Sequence, residues 1–377
     1  MPGVSDHRDV AGPDAAAVMA VASASLGRHL SAPMLLAGGS DRSVLLRCRD
    51  HDGGSVVVKA YPRTAEGAGS FAAEAAGLQI ASGTGLAPEF LAADTDELVV
   101  VMSDLGSGPT MADLLLGSSA AAASSAVLGW AAACGELSAA TSGRRGDFGP
   151  LVTRYTRGPA RRPFADELAE SILRAPERAA LLGVTRPAGL ADELADVASQ
   201  VRPDRYPVFS PGDLCPDNNL VTGAGVRLLD FEAAGIYSVF LAAAYIRMPF
   251  STCWCVFRLP AELSLAAESI FRRAVCGPWP ALADDRAWQP GVRRGIAAWT
   301  MNSMGWLLRA SLQRDRPLDD ARTSPSTRQL MRHRWQVLLA ELESAGELPA
   351  LAELMRRLLA ATTGWRAAAL PLYPALR

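Results

Sequence analysis

Asp213, Asn218 and Asp230 follow one another in an order and spacing that suits phosphoryl transfer. The segment Phe209-Ser210-Pro211-Gly212-Asp213-Leu214-Cys215-Pro216-Asp217-Asn218-Asn219-Leu220-Val221 puts an asparagine five residues after an aspartate. Asp230 comes nine residues after Val221, in Val226-Arg227-Leu228-Leu229-Asp230-Phe231-Glu232. A carboxylate at Asp213 can accept or orient the proton of an attacking hydroxyl. The Asn218 amide oxygen and the Asp230 carboxylate are hard oxygen donors, the kind magnesium takes while it bridges phosphates. Convergence of the three requires a loop followed by a β-hairpin, and 218–230 reads as strand, turn, strand. Aspartate and asparagine are common in turns, so each residue alone says little. The ordered set carries the reading.

A fourth residue joins them through composition. Lysine and arginine total 37, and Lys59 is the sole lysine. With the Ala, Gly and Pro load this suggests a GC-rich coding background that has turned nearly every replaceable lysine into arginine. A compact ammonium on a flexible stem differs from a planar guanidinium fork, and a phosphate site can require the former. Lys59 closes the predicted strand Ser55-Val56-Val57-Val58-Lys59.

The elements that must position these groups form two lobes. Residues 1–30 carry helical Ala/Val/Leu spacing and read as a leading helical extension. Met34-Leu35-Leu36 and Ser43 to Arg49 read as strands. Asp50-His51-Asp52-Gly53-Gly54 is a hairpin turn into the Lys59 strand. Phe71 to Ala81 reads as a helix with Phe71, Ala75 and Leu78 on one face and Glu74 beside them. Val99 to Met102 is a further strand, ending in Ser103-Asp104-Leu105-Gly106. Beyond it the pattern is mostly helical, with the Ala/Ser run at 118–126 read as a loop entering a helix. A short β region lies at 208–230, and long helices are predicted at 260–275, 291–313 and 326–363. The expected fold class is α+β and bilobal, with a β-rich lobe at 31–105 and a large helical lobe at 106–377.

Composition narrows the function classes. The 377 residues are 49% apolar and 20% charged, enough for sizeable cores and unlike a disordered chain. A formal net charge of −2 gives no basic field for nucleic acid. Six cysteines without a CxxC pair resemble neither a disulfide framework nor a zinc ribbon. There is no basic-then-apolar signal pattern and no uninterrupted apolar run of membrane-spanning length, so a cytoplasmic protein with no nucleic-acid or membrane partner is expected.

Over about residues 33–250 the chain resembles the aminoglycoside phosphotransferase and choline kinase superfamily, small-molecule kinases with a protein-kinase-like fold. The family pattern is His-Gly-Asp-Leu-His-Pro-x-Asn followed by a hydrophobic strand into Asp-Phe/Trp-Glu. Here it reads Pro211-Gly212-Asp213-Leu214-Cys215-Pro216-Asp217-Asn218 and Asp230-Phe231-Glu232. The resemblance implies Asp213 as catalytic base, Asn218 and Asp230 as Mg2+ ligands, and Lys59 as the phosphate-binding lysine. Glu74 would be its helix partner, with Glu66 as the competing carboxylate. Gly38, Gly39 and Ser40 would form the loop over the phosphates. Ser103, Asp104 and Leu105 would form the hinge that holds the purine of ATP or GTP through backbone groups. The expected reaction is Mg2+-dependent phosphorylation of a hydroxyl on a small molecule, antibiotic- or natural-product-like.

Two positions depart from that pattern. Pro211 replaces a histidine that braces the loop in the family, and proline cannot donate its hydrogen bonds. The later helix, Val239-Phe240-Leu241-Ala242-Ala243-Ala244, lacks the aspartate that ties down the same loop. Coordinated replacement by packing, through the segment from Tyr237 to Tyr245, is one expectation. A degenerate kinase-fold scaffold with a protein partner is the other. A third reading, a peptide Ser/Thr kinase, draws on the basic run Arg154, Arg157, Arg161 and Arg162. Cys253-Trp254-Cys255 reads as helix-core packing, with Trp254 as an alternative wall of the acceptor pocket. Asp284, Asp285, Asp319 and Asp320 read as surface-loop residues, and Trp299, Met301 and Trp306 as core.

Overall fold

A computed structural model of the chain describes residues 14–36, 43–158, 162–248, 250 and 253–377. The N-terminal part is a five-stranded antiparallel sheet in the order β1-β2-β3-β5-β4, formed by Leu30–Leu35, Val44–Asp50, Ser55–Ala60, Phe90–Asp94 (β4) and Val99–Ser103 (β5). Two helices cover it, α1 (Ala15–Leu26) and α2 (Ala65–Ala81). Strand periodicity sorts the side chains. Val56, Val58 and Ala60 of β3 join Val99 and Val101 of β5 in a cluster with Val18 and Ala22 of α1. Val57, Val100 and Met102 join the cluster that contains Phe71, Ala75 and Leu78 of α2. Both faces are covered, which is why β3 and β5 read as unbroken apolar runs.

The expected bilobal α+β plan is the one the chain adopts, with local differences. α2 begins at Ala65, where the Thr64 hydroxyl accepts from the Gly67 N–H, six residues before Phe71. β4 was not foreseen, because Phe90-Leu91-Ala92-Ala93-Asp94 has little β-branched content and no alternation. The Ala/Ser run is no loop: Ser119 caps α4 (Ala120–Ala140), and the run forms its first turns. Alanine is the best helix former, and the serines there follow the cap.

The helical lobe is built around α4, α9 (Val239–Arg247), α10 (Ala261–Val275) and α11 (Asp285–Gln313), followed by α12 (Thr327–Ala345) and α13 (Pro349–Ala361). α11 starts six residues earlier than expected, on the Asp284 cap, and carries Pro290 within it. The stretch at 326–363 divides at Gly346, a left-handed residue that ends α12. α4 alone among the described helices is long and apolar enough to cross a membrane, and half of that window is buried inside the protein. It packs on α10 and on the hairpin strand β8 (Gly225–Leu228) as a core helix.

Between α8 (Leu190–Gln200) and α9 lie the two short sheets that matter for the site. β6 (Pro207–Ser210) pairs with β9 (Gly235–Ser238), and β7 (Asn219–Thr222) pairs with β8. The Asp213 loop leaves β6 and enters β7, and Asp230 lies between β8 and β9.

Candidate active site

Lys59 sits on β3 opposite Leu45 and Val100, and its ammonium reaches three carboxylates. Nζ is 2.7 Å from Asp230 Oδ1, 3.1 Å from Glu74 Oε2 and 3.4 Å from Glu232 Oε2. Glu74, one helical turn beyond Phe71 on α2, is the helix partner of Lys59. Tyr61 donates its hydroxyl to Glu74 Oε2 at 2.9 Å, and Lys59 lies 5.0 Å from the Tyr61 ring centroid. Lys59 is 6% exposed and Glu74 1%. Burial alone would favour a neutral lysine, but Glu74 and the neighbouring acids outweigh it and hold the ammonium well above its usual range.

Two backbone features bring Asp230 to this place. Asp230 itself has φ +60°, a left-handed conformation that turns the chain out of β8. Gly77 of α2 then permits close packing: a Cβ there would lie 2.7 Å from Ala234 Cβ and 3.1 Å from Phe231 Cβ. Phe231 is fully buried and stacks on Phe209 of β6, with ring centroids 6.1 Å apart. Helix α2, which carries Glu74, thus rests directly on the turn that carries Asp230.

The β7–β8 hairpin brings Asn218 to the same end as Asp230. Asn219 pairs with Leu228, and the Leu229 N–H donates to the Asn218 carbonyl at 2.9 Å. Asp213 lies on the loop before it, where its Oδ1 accepts from the Cys215 N–H at 3.1 Å. Burial pushes the Asp213 carboxyl up; the Cys215 bond opposes this, and the Asp230 and Asp217 charges add to it. Gly212 makes the loop possible. Its φ is +89°, and a Cβ there would meet the Ala233 carbonyl oxygen at 2.0 Å.

The two departures from the family pattern meet in space. Pro211 and Ala242 line one void of about 10 Å3, together with Ser210, Leu214, Cys134 and Phe271. That volume holds a single water at most. Nearby, the Tyr237 hydroxyl donates to the Ala233 carbonyl at 2.5 Å, and the Asn219 amide donates to the Cys215 carbonyl at 2.5 Å. Apolar residues thus stand where the family pattern has a histidine and an aspartate; the Asn219 bond ties the loop to itself, and the Tyr237 bond fixes the neighbouring turn.

At the end of β5, Ser103 accepts from the Glu89 N–H through its hydroxyl at 2.8 Å. Asp104 turns its carboxylate to the sheet, in an ion pair with Arg47 (Nε at 2.7 Å) and accepting from Arg47 Nη2 at 3.0 Å and the Ser55 hydroxyl at 2.6 Å. Burial opposes ionisation there, but Ser55 and Arg47 prevail and keep the carboxyl below its ordinary range. Leu105 follows, half-buried, with its neighbour Gly106 donating its N–H to Asp104. Gly38, Gly39 and Ser40 lie outside the described residues.

Sequence reasoning missed Tyr61, Glu232 and Asp217. Tyr61 was signalled by its spacing of two from Lys59, which puts both on one face of the extended chain. Asp217 accepts from Trp254 Nε1 at 2.9 Å, and the Arg322 guanidinium lies 4.5 Å from the centroid of the Trp254 ring. Trp254 therefore sits beside the Asp213 loop, and its segment is irregular rather than helical as expected, although Cys253, Cys255, Val256 and Phe257 are buried. Trp306, expected in the core, is 43% exposed and faces Arg334 instead. Arg154 and Arg157 are exposed; Arg162 is also exposed and pairs with Glu170 at 2.7 Å, while Arg161 lies outside the described residues. Asp284, Asp285 and Asp320 are exposed, and Asp284 serves as the cap of α11.

Comparison with known proteins bears on this arrangement. A choline kinase from Cryptosporidium parvum Iowa II superposes with a TM-score of 0.50 at 15% identity, covering 86% of this chain and 93% of that one. An amicoumacin kinase solved with AMP-PNP, Ca2+ and Ami gives a TM-score of 0.50 at 15% identity, covering 93% and 94%. No curated protein matches the sequence. A sequence description of the phosphotransferase enzyme family matches residues 31–243, more than half of the chain and the whole stretch from the sheet through the Asp230 turn. This chain, a phosphotransferase of kinase-like bilobal fold, belongs to that phosphotransferase enzyme family.

Proposed function

We propose that the chain transfers the γ-phosphoryl group of ATP or GTP to a hydroxyl of a small molecule, antibiotic- or natural-product-like, with Mg2+, in the cytoplasm. The observation that supports this most is the contact of the lone lysine with Asp230 at 2.7 Å. It joins the sheet to the loop-and-hairpin that carries Asp213 and Asn218.

In this reading Lys59, held in place by Glu74, neutralises the phosphates, and Asp213 orients the acceptor hydroxyl and takes its proton. Its Oδ1 is fixed by the Cys215 N–H, which leaves Oδ2 for that hydroxyl. The donors at the hairpin end, an amide oxygen at Asn218 and a carboxylate at Asp230, suit a hard cation. When bound, Mg2+ supplies charge neutralisation on the phosphates. Ser103 to Leu105 hold the purine through backbone groups, since the Asp104 carboxylate is engaged with Arg47 and Ser55. Trp254, oriented by Asp217, forms one wall of the acceptor pocket. The lining of one small void by both Pro211 and Ala242 supports a working loop over a degenerate one.

The test is a thermal-shift titration with ATP and GTP, with and without Mg2+, on the wild type and Asp230→Ala. Ligand at about a hundred times its Kd adds about 2.7 kcal/mol to stability. A magnesium-dependent shift that is lost in Asp230→Ala is expected. No shift with either nucleotide would turn the search to protein partners.

A further inference from the structure

None of the six cysteines is joined in a disulfide, and three of them gather behind the Asp213 loop. Cys215 lies two residues after Asp213, while Cys253 and Cys255 come from the irregular segment before α10. The Cys253 and Cys255 sulfurs are 2.9 Å apart. Cys215 Sγ, Cys253 Sγ and a carboxylate oxygen of Asp217 all lie within 4.8 Å of one another. Asp217 divides its oxygens: Oδ2 accepts from Trp254, and Oδ1 faces Cys253 Sγ at 4.0 Å. The sequence alone showed a Cys-x-Cys without a histidine nearby; the fold brings it a third thiol and a carboxylate.

Thiolates with one carboxylate are a soft donor set that suits zinc and not magnesium. On a tetrahedral zinc ion with bonds of about 2.3 Å, two sulfurs stand about 3.8 Å apart. Cys215 Sγ and Cys253 Sγ, within 4.8 Å of each other, reach that value with side-chain rotations of about 1 Å, whereas Cys255 Sγ, 2.9 Å from Cys253, lies outside that trio and must swing further to join as the fourth ligand. Burial pushes the Cys215 and Cys253 thiols well up, so thiolates form here only as a metal displaces their protons, and two features offset part of that cost. The Cys255 N–H donates to Cys253 Sγ at 3.4 Å, a bond that strengthens when the sulfur is a thiolate. Arg334, 1% exposed, is electrostatically coupled to Cys215 and Tyr245, and burial brings it down to about 10, still cationic at neutral pH. Zinc with three thiolates and a carboxylate carries two net negative charges, one of which this guanidinium offsets.

We infer that Cys215, Cys253, Cys255 and Asp217 form a binding site for one soft divalent cation of the zinc class, clamping the Asp213 loop to the segment before α10. The set is closed by four protein ligands, as in a structural site, so the ion braces the loop and takes no part in phosphoryl transfer. Loading releases the thiol protons, so affinity rises with pH.

The experiment uses the full chain, purified, freed of metal and desalted. Zinc content is measured after equilibration with zinc, and cobalt is added as a spectroscopic probe. One zinc per chain and a sulfur-to-cobalt charge-transfer band are expected, with Mg2+ in excess displacing neither. Cys253→Ser should weaken zinc at least tenfold, while Cys134→Ser, at a buried thiol outside the cluster, leaves it unchanged. Chelator treatment of the wild type should lower its thermal midpoint, a readout that needs no variant. Absence of both zinc and the cobalt band overturns the site. So does a thiol count below six in the denatured metal-free protein, which would mean a disulfide within the cluster. None of these readouts involves phosphotransfer, so the site and the proposed reaction can fail separately.

Discussion

Replacing Lys59 by methionine tests the charge network at its centre. The ammonium serves Asp230, Glu74 and Glu232 at 2.7, 3.1 and 3.4 Å. Asp230 and Glu232 keep 31% and 24% side-chain exposure and can be solvated once the lysine is gone. Glu74, at 1% exposure, cannot. Removing one partner of a buried pair costs about 3–5 kcal/mol. The Tyr61 hydroxyl still donates to Glu74, and Glu74 can escape by taking up a proton, so about 2–4 kcal/mol is expected at neutral pH. Burial holds Glu74 above the ordinary carboxylate range even beside Lys59, and removing Lys59 raises it further, so the penalty grows as pH rises and shrinks as it falls. Adding Glu74→Gln to Lys59→Met removes the stranded charge and keeps an acceptor for Tyr61. The double variant should recover all but about 1 kcal/mol, a coupling of at least about 2 kcal/mol once the cost of Glu74→Gln alone is counted. Urea midpoints for the wild type, both single variants and the double, at neutral and mildly acidic pH, measure this directly. Every variant without Lys59 should also lose roughly a hundredfold or more in turnover. A single-variant cost below about 0.5 kcal/mol, or no recovery in the double variant, refutes the account of Glu74 as a buried charge held by Lys59.

Other substitutions separate chemistry from architecture. Asp213→Asn should lower turnover by roughly 10²–10⁴-fold and leave nucleotide-induced thermal shifts intact. Because burial pushes Asp213 up, its contribution to stability is complete below the ordinary carboxylate range and is lost as pH rises through the raised value. Asp213→Asn should therefore be more stable than the wild type at neutral pH, with the gain fading towards the acid end in thermal melts. Gly212→Ala forces a side chain into φ +89° and against the Ala233 carbonyl oxygen, so a loss of at least about 2 kcal/mol and collapsed activity are expected from melts and steady-state rates. Lys59→Arg keeps a positive charge yet brings a planar fork into a space filled by Glu74 and Tyr61; a folded protein with roughly hundredfold less turnover is expected.

What could be read from the sequence was what neighbouring residues decide. The Asp213 loop, the hairpin after it and the strand ending at Lys59 are built by hydrogen bonds over short separations, and their residue types announce them. The pairing of Lys59 with Glu74 rather than Glu66 also follows locally, since Glu74 lies beside the face of α2 that carries Phe71, Ala75 and Leu78. β4 was invisible because an Ala-rich strand owes its state to its neighbour β5 and to the helix packed beneath it. Asp217 was mute for a related reason: its partner Trp254 is 37 residues away. Pro211 and Ala242 make the argument most sharply. Taken one at a time, each removes a polar group from a brace, and together they suggest a dismantled loop. In space they line one small, mostly apolar void whose other polar lining is Ser138 and Ser210, where a lone histidine or a lone aspartate would lack a charged partner. Replacing both partners of a buried polar pair by apolar groups can be nearly neutral, while replacing either one alone leaves the other unsatisfied. Ala242→Asp on its own should therefore destabilise the protein by at least about 1 kcal/mol. Pro211→His added to it should restore part of that loss in the same melts, because the carboxylate then gains a charged partner across the void.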